Sequence, residues 1–282
     1  MHTHPESPSA AASASKPPLK WAGGKSRIIE EILRRLPAGQ RLIEPFVGGA
    51  SVFLASRYDA YLLGDSNHHL IDLYNSIVHR FDELVAATSM YFAEEYRNKE
   101  RYVEVRSAFN REQDLLERSV QFLYLNRFGF NGLCRYNRSG EFNVPYGNPG
   151  RVPRLPLERM AAFREKAARA TFVAGDFVDL MRQAVPGDVV YCDPPYFDRG
   201  TATKSFTGYS ASGFSLGRQR ELAEMARTLA ARGIPVLISN HDCEVARSLY
   251  DGAEFHRLEA RRSISADASR RGSAIELLAL FT

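Results

Sequence analysis

The run Asp188-Val189-Val190-Tyr191-Cys192 is apolar after its first residue and leads directly into Asp193-Pro194-Pro195-Tyr196. A short, uninterrupted apolar run rich in β-branched residues reads as a strand buried on both faces. The prolines that follow cannot continue a ladder, because each lacks an N–H and holds φ fixed. Outward from this strand, further apolar stretches occupy residues 41–47, 61–64, 171–174, 235–239 and 274–281. Helical spacing of apolar residues covers 26–36, 50–57 and 216–232, the last closed by Gly233-Ile234-Pro235. Strands alternating with helices predict an α/β fold, a mostly parallel sheet covered on both faces. In such sheets ligands bind beyond the carboxyl ends of the strands, where Asp193 stands.

The rhythm breaks between residues 71 and 159. Residues 72–125 read as helical and charged, and residues 126–159 are rich in Gly, Asn, Pro, Arg and aromatics. The expectation is a sheet domain from 17–70 and 160–282, an inserted second domain at 71–159, and a disordered leader at 1–16. Residues 199–213 and 265–272 read as mobile loops. Net charge is +4 and pI about 9.0. Residues 97–159 hold 12 Lys/Arg against 7 Asp/Glu, so the basic character is regional and favours a polyanion. No apolar run approaches the roughly 20 residues of a membrane helix. The leader lacks the apolar centre of a signal peptide. Three widely spaced cysteines without a CxxC pair argue against a disulfide framework or zinc site and for a reducing compartment; no metal is expected.

The tetrapeptide has a specific chemistry. An exocyclic amine offers two N–H donors, but its lone pair is delocalised into the ring. An Asp193 carboxylate and a proline carbonyl can take both donors and draw the nitrogen toward tetrahedral geometry, so that the lone pair faces an electrophilic methyl. Tyr196 can stack on the base that carries the amine. The bland alternative is a rigid turn that merely ends a strand.

The ends of other strands offer a ligand pocket. Glu44-Pro45-Phe46-Val47-Gly48-Gly49-Ala50 ends one strand and opens a helix, and its glycines allow close approach to the backbone. The spacing is not the GxGxxG dinucleotide fingerprint. Gly64-Asp65 ends a second strand, where a carboxylate suits ribose hydroxyls; a solvated turn aspartate is the alternative. Asp176-Phe177 ends a third, an acid and an aromatic that could meet an adenine ring. Lys20-Trp21-Ala22-Gly23-Gly24-Lys25 sets a lysine beside a glycine turn, fit for a carboxylate such as a methionine tail. A truncated phosphate loop is a poor rival, since the GxxxxGK spacing is absent and the segment follows no strand.

Together these segments resemble the Dam-type family of DNA adenine-N6 methyltransferases (D12 class). The resemblance covers nearly the whole chain after Lys16, in ordered blocks: LKWAGGK (19–25), EPFVGG (44–49), GDSNHHLIDLYN (64–75), LYLNRFGFNGLCRYNRSGEFNVPYG (123–147), VVYCDPPY (189–196), IPVLISNHD (234–242), RRSIS (261–265) and ELLAL (276–280). It implies a Rossmann-like methyltransferase sheet of seven strands with the last antiparallel, S-adenosyl-L-methionine as cofactor, and a mainly helical target-recognition domain in the insertion. Trp21, Lys25, Asp65 and Asp193 are implied in the cofactor pocket, with Glu44, Gly48, Gly49, Asp176 and Phe177 beside them. Asp193, Pro194 and Tyr196 form the implied catalytic set.

The segment 126–147 interleaves Arg127, Arg135 and Arg138 with Phe128, Phe130, Tyr136, Phe142 and Tyr146. Arginine can pair bidentately with guanine, and aromatics can fill the gap left by an extruded base; at least half of these aromatics are expected to build a core. The resemblance implies that Arg135 and Leu133 read base edges, with Asn131 and Pro145 close by, Phe130 wedging into the stack, and Lys20 and Arg127 also on the DNA. It implies GATC as target, double-stranded DNA as partner and a flipped adenine. A cytoplasmic, nucleoid-associated monomer is the expected state. The family's glycine is replaced by Ala50, its Asn-Gly stretch after RRSIS by Ala266-Asp267-Ala268-Ser269, and its basic-aromatic continuation by Asn148-Pro149-Gly150. Two other readings stay open: methylation of a different amine (cytosine N4, an RNA base, a protein glutamine), against which Asp193 argues, and a silent DNA-binding protein, against which the intact residues 193–196 with Lys25 and Asp65 argue.

Overall fold

The computed structural model describes residues 16–196, 214–260 and 274–282. The leader apart from Lys16, the loops expected at 199–213 and 265–272, the RRSIS block and the 266–269 departure lie outside the described residues.

Seven strands form one sheet: β1 (Arg41–Glu44), β2 (Ala60–Asp65), β3 (Ala170–Ala174), β4 (Asp188–Cys192), β5 (Val236–His241), β6 (Glu254–Ala260) and β7 (Ala274–Phe281). Their order is β3-β2-β1-β4-β5-β7-β6. Strands β1 to β5 pair in parallel, and β7 runs antiparallel to both β5 and β6. From β1 the chain moves outward to β3 and then returns to β4 on the other side. The strand order therefore reverses between β1 and β4, and the crevice beyond their carboxyl ends lies between Glu44 and Asp193.

Strands β4 and β7 begin and end where the sequence places them. Strand β6 was not among the expected strands. Its sequence, Glu254-Phe255-His256-Arg257-Leu258-Glu259-Ala260, carries charges because it is an edge strand, paired only with β7 in the sheet order. The expected 41–47 strand stops at Glu44, since Pro45 has no N–H to give.

The sheet sorts consecutive residues to opposite faces. Leu42, Val189 and Leu237 join one apolar core, and Ile43, Val190 and Ile238 the other. The second core is closed by α8 (Phe177–Met181), α9 (Leu216–Ala230) and α10 (Glu244–Leu249). The first is covered by α1 (Ile29–Arg35), α2 (Ser51–Ala55), α3 (His68–His79) and α7 (Leu157–Ala167), and it continues through α4 (Phe81–Ser89), α5 (Lys99–Phe109) and α6 (Leu115–Phe128). Buried Tyr74, Tyr102, Tyr124 and Phe142 thus share one core with the sheet, and the expected boundaries at 70/71 and 159/160 fall within α3 and α7. No helix among the described residues is long and apolar enough to cross a membrane.

The end of α6 is stitched to the returning chain. Gly147 N donates to Phe128 O (2.9 Å) and Phe130 N to Pro145 O (2.9 Å). Gly129 sits where a Cβ would lie 2.5 Å from the Leu125 carbonyl oxygen and 2.8 Å from the Tyr102 hydroxyl. Neither atom can retreat freely, so Gly129→Ala is expected to lose about 1–3 kcal/mol, as overpacked cores do. Urea unfolding would register this as a lower midpoint at unchanged m; an unchanged midpoint would show that the helix end yields.

Candidate active site and reading segment

Asp193 follows β4 and is held from two sides. Lys25 Nζ lies 2.7 Å from Asp193 Oδ2, and Ser239 Oγ, on β5, donates to Asp193 Oδ1 at 2.9 Å. Ser239 has one proton; with it given to Asp193, the Tyr191 hydroxyl, 3.0 Å away, must donate to Ser239. Lys25 is buried, 7% exposed, and also donates to Gly23 O (2.9 Å). Its ammonium lies 4.7 Å from the Tyr196 ring centre. Tyr196 donates to Glu276 on β7 (3.1 Å) and meets His241 edge-on. Pro195 O accepts from Gln219 Nε2 (2.9 Å), so the Pro194 carbonyl is the better candidate to receive an amine proton.

Glu44, at the end of β1, is 2% exposed, and its Oε1 has no hydrogen-bond partner among the described residues. Burial, with Asp193 nearby, pushes its carboxyl well above the usual carboxylate range. An orphaned buried oxygen at the crevice fits a ligand that brings a donor or a positive charge.

The glycine turn after β1 is built around Trp21. A Cβ on Gly48 would lie 2.7 Å from Trp21 Nε1, and one on Gly49 2.8 Å from Trp21 Cβ. Gly48 N donates to Asp65 Oδ2 (3.0 Å), while Tyr74 OH donates to Gly48 O (2.6 Å). Asp65 Oδ1 accepts from Asn67 N (2.9 Å). Burial raises the Asp65 carboxyl, and the N–H groups of Asn67, Gly48 and Ser66 oppose that rise. Ala50 takes the left-handed conformation (φ 61).

Asp176 is exposed, caps α8 through Val178 N (2.9 Å) and is paired with Arg218, which lowers its pKa. Phe177 is buried and stacked on Phe46 (5.3 Å), with the Arg218 guanidinium 4.4 Å from its ring centre. Asp176 and Phe177 thus border the crevice beside a ready aromatic wall.

The reading segment lies on the same side. Of its aromatics, Phe128 and Phe142 are buried, Tyr136 and Tyr146 are half-buried against the core, and Phe130 is 48% exposed. Asn131 is exposed and left-handed (φ 53), Leu133 half-buried and Pro145 exposed. Arg135 is exposed, and its guanidinium donates to Asn143 Oδ1 (2.8 Å) and Asn143 O (3.2 Å). Lys20 and Arg127 line a groove with Arg151 and Arg154. Burial and the Arg127 charge lower the Lys20 pKa, and Arg127 Nε is buried with no partner among the described residues. Asn126 was not singled out in the sequence: its Oδ1 accepts from Lys20 N (3.0 Å) and its Nδ2 donates to Lys20 O (2.8 Å), clamping the 20–25 segment to α6. Ser239, Phe46, Arg218 and Glu276 were also missed. Ser239, Phe46 and Glu276 sit inside quoted blocks, but nothing local marks them as partners.

The chain's single Trp makes the turn observable. Gly48→Ala meets both a φ of +44 and the Trp21 indole. It is expected to cost about 1–3 kcal/mol and to shift the Trp21 emission. Unaltered fluorescence and melting temperature would refute this account of the turn.

The family model described as D12 class N6 adenine-specific DNA methyltransferase matches residues 21–264. The DNA adenine methylase of Escherichia coli (strain K12) is 48% identical over 263 residues, 93% of this chain and 94% of that relative. The DNA adenine methylase of Vibrio cholerae serotype O1 (strain ATCC 39315) is 46% identical over 265 residues, 94% of this chain and 95% of that relative. A solved precorrin 8w decarboxylase of Methanobacterium thermoautotrophicum is similar at 12% identity and a TM-score of 0.35, over 93% of this chain and 91% of that one, too distant to carry an argument. The chain belongs to the D12 class of N6 adenine-specific DNA methyltransferases.

Proposed function

We propose that this DNA adenine methyltransferase takes its methyl group from S-adenosyl-L-methionine and delivers it to N6 of the adenine in GATC, after turning that base out of the duplex. The observation that carries the reading is the buried Lys25–Asp193 pair at the end of β4, with the Tyr196 ring against the lysine. When bound, S-adenosyl-L-methionine supplies an electrophilic methyl on a cationic sulfur.

The chain's own groups do the rest. Asp65 accepts ribose hydroxyls, Phe46 and Phe177 with Asp176 receive the adenine ring, and Lys25 with Trp21 and the turn at Gly48 and Gly49 receives the methionine end. The orphaned Glu44 oxygen supports a donor-bearing ligand there. Each Asp193 oxygen keeps a lone pair beyond its bond to Lys25 or Ser239. One of them and the Pro194 carbonyl accept the two N6 hydrogens, while Tyr196 stacks on the flipped base. Duplex bases cannot reach such a crevice without flipping. Phe130, exposed beside Asn131 and Pro145, fills the vacated place; Arg135 and Leu133 read the edges of the site, and Lys20 and Arg127 approach the backbone or its bases. Residues 71–159 act as the target-recognition part, 17–70 and 160–282 as the catalytic part. The reading takes the protein to work as a monomer on nucleoid DNA in the cytoplasm.

Asp193→Asn keeps the shape and an oxygen for Ser239 but removes the counter-charge of Lys25 and turns an amide N–H toward that ammonium, so the melting temperature is measured beside the activity to separate lost chemistry from lost stability. Methyl transfer is expected to fall by about 10²–10³, the usual loss of one preorganised polar partner, at nearly unchanged duplex binding. Activity within tenfold of wild type, measured with labelled methyl donor, would exclude the role.

Plasmid from an otherwise methylation-free host expressing the protein should resist a nuclease blocked by GATC methylation. Arg135→Ala should relax discrimination at one base pair by about 1–3 kcal/mol rather than weaken all sequences alike. Uniform weakening with a shallower salt dependence would instead make Arg135 a phosphate contact. Methyladenine in another sequence context would overturn the GATC assignment while leaving the chemistry intact.

A further inference from the structure

The residues flanking Arg135 face the opposite way from it. Cys134 and Tyr136 are half-buried and Arg135 is exposed, the alternation of an extended segment. Both inward side chains end on Asn67. Its Nδ2 donates to Cys134 Sγ (3.2 Å), and its Oδ1 accepts from Tyr136 OH (3.3 Å). A phenol has one proton; with it given to Asn67, His69 Nδ1, 2.9 Å from the phenol oxygen, must carry the hydrogen and donate. Burial, with His68 beside it, lowers the His69 pKa to about 4, so the ring is neutral at pH 7 and has one N–H to place. The network is satisfied in that arrangement.

The backbone of Asn67 belongs to the other site. Its N–H donates to Asp65 Oδ1 (2.9 Å), and Asp65 Oδ2 accepts from the glycine turn at Gly48 N (3.0 Å). Asn67 Oδ1 also accepts from Leu70 N (3.3 Å), capping α3. One residue therefore touches the carboxylate read as the sugar contact, the helix that follows β2, and the stretch that presents Arg135.

We propose that Asn67 is a positioning residue that couples cofactor binding at Asp65 to the posture of the stretch carrying Arg135. The proposal rests on the reading of Asp65 as a cofactor contact. A ligand bonded to Asp65 restrains the 65–67 turn, and that turn sets Cys134 and Tyr136. Whichever ligand binds first orders part of what the second must order, so cofactor and cognate duplex tighten one another by the same factor.

Calorimetry with S-adenosylhomocysteine as probe, with and without a GATC duplex, tests this in the wild type, Asn67→Ser and Tyr136→Phe. Serine keeps a helix cap but is too short to reach Cys134 or Tyr136. Phenylalanine keeps the ring stacked on His69 (5.5 Å) and loses the hydroxyl. In the wild type the duplex should tighten probe binding at least about fivefold, the lower edge of ordinary coupling. In both variants the factor should fall toward one while the probe alone binds nearly as before. Loss in Asn67→Ser alone supports coupling through Cys134. A merely structural residue would weaken each ligand singly and leave the ratio between them intact, which overturns the proposal. A wild type that binds probe and methylates DNA but shows a factor of one also overturns it. Failure of the wild type to bind the probe overturns the functional reading and this proposal together.

Discussion

Lys25 is 7% exposed, so its ammonium must find its compensation inside the protein, and it finds it in Asp193. Removing one partner of such a buried pair commonly costs about 3–5 kcal/mol, because the other charge is left without water or counter-ion. The pair spans a long gap in the chain. Lys25 stands in an irregular segment before α1, and Asp193 at the end of a central strand. Their contact folds the 20–25 segment across the carboxyl ends of β1 and β4, and Asn126 clamps its other end to α6. The crevice beyond those strand ends depends on that closure.

The glycine turn shows how such closure is prepared. Gly48 gives its N–H to Asp65 and its carbonyl to Tyr74, so the turn is held on both sides before any ligand is considered. The missing Cβ atoms at Gly48 and Gly49 are filled by the Trp21 indole. The glycines thus serve first to seat a side chain. Ala50 adopts a left-handed conformation that costs an L-residue about 1–2 kcal/mol, and its methyl, fully buried, recovers part of that by packing.

The basic groove works against itself in the isolated chain. Lys20 lies beside Arg127, and burial, joined by repulsion from Arg127, makes the lysine easier to deprotonate. Arg127 is likewise depressed by burial and by Arg159. A polyanion such as the DNA substrate relieves this repulsion, and residues 97–159 carry the regional surplus of positive charge. Arg135, in contrast, already has Asn143 as its partner.

Strand β4, strand β7 and the residues that terminate β2 to β4 were legible in the sequence, because apolar periodicity and turn chemistry are local, whereas β1 stops three residues before its expected end. The antiparallel final strand and the family came from ordered motifs, which the fold and the relatives bear out. Strand β6 was hidden by the charges that an edge position tolerates. The polar partners were hidden for a different reason. Ser239 meets Asp193 across 46 positions, Asn67 meets Cys134 across 67, and Asn126 meets Lys20 across 106. A serine or asparagine carries no local sign of such a role. Amino-acid order alone determined which groups stand at the ends of the strands and what chemistry they can perform. Only the tertiary structure decided which distant donor satisfies which buried acceptor, because that requirement arises when water is excluded from between them.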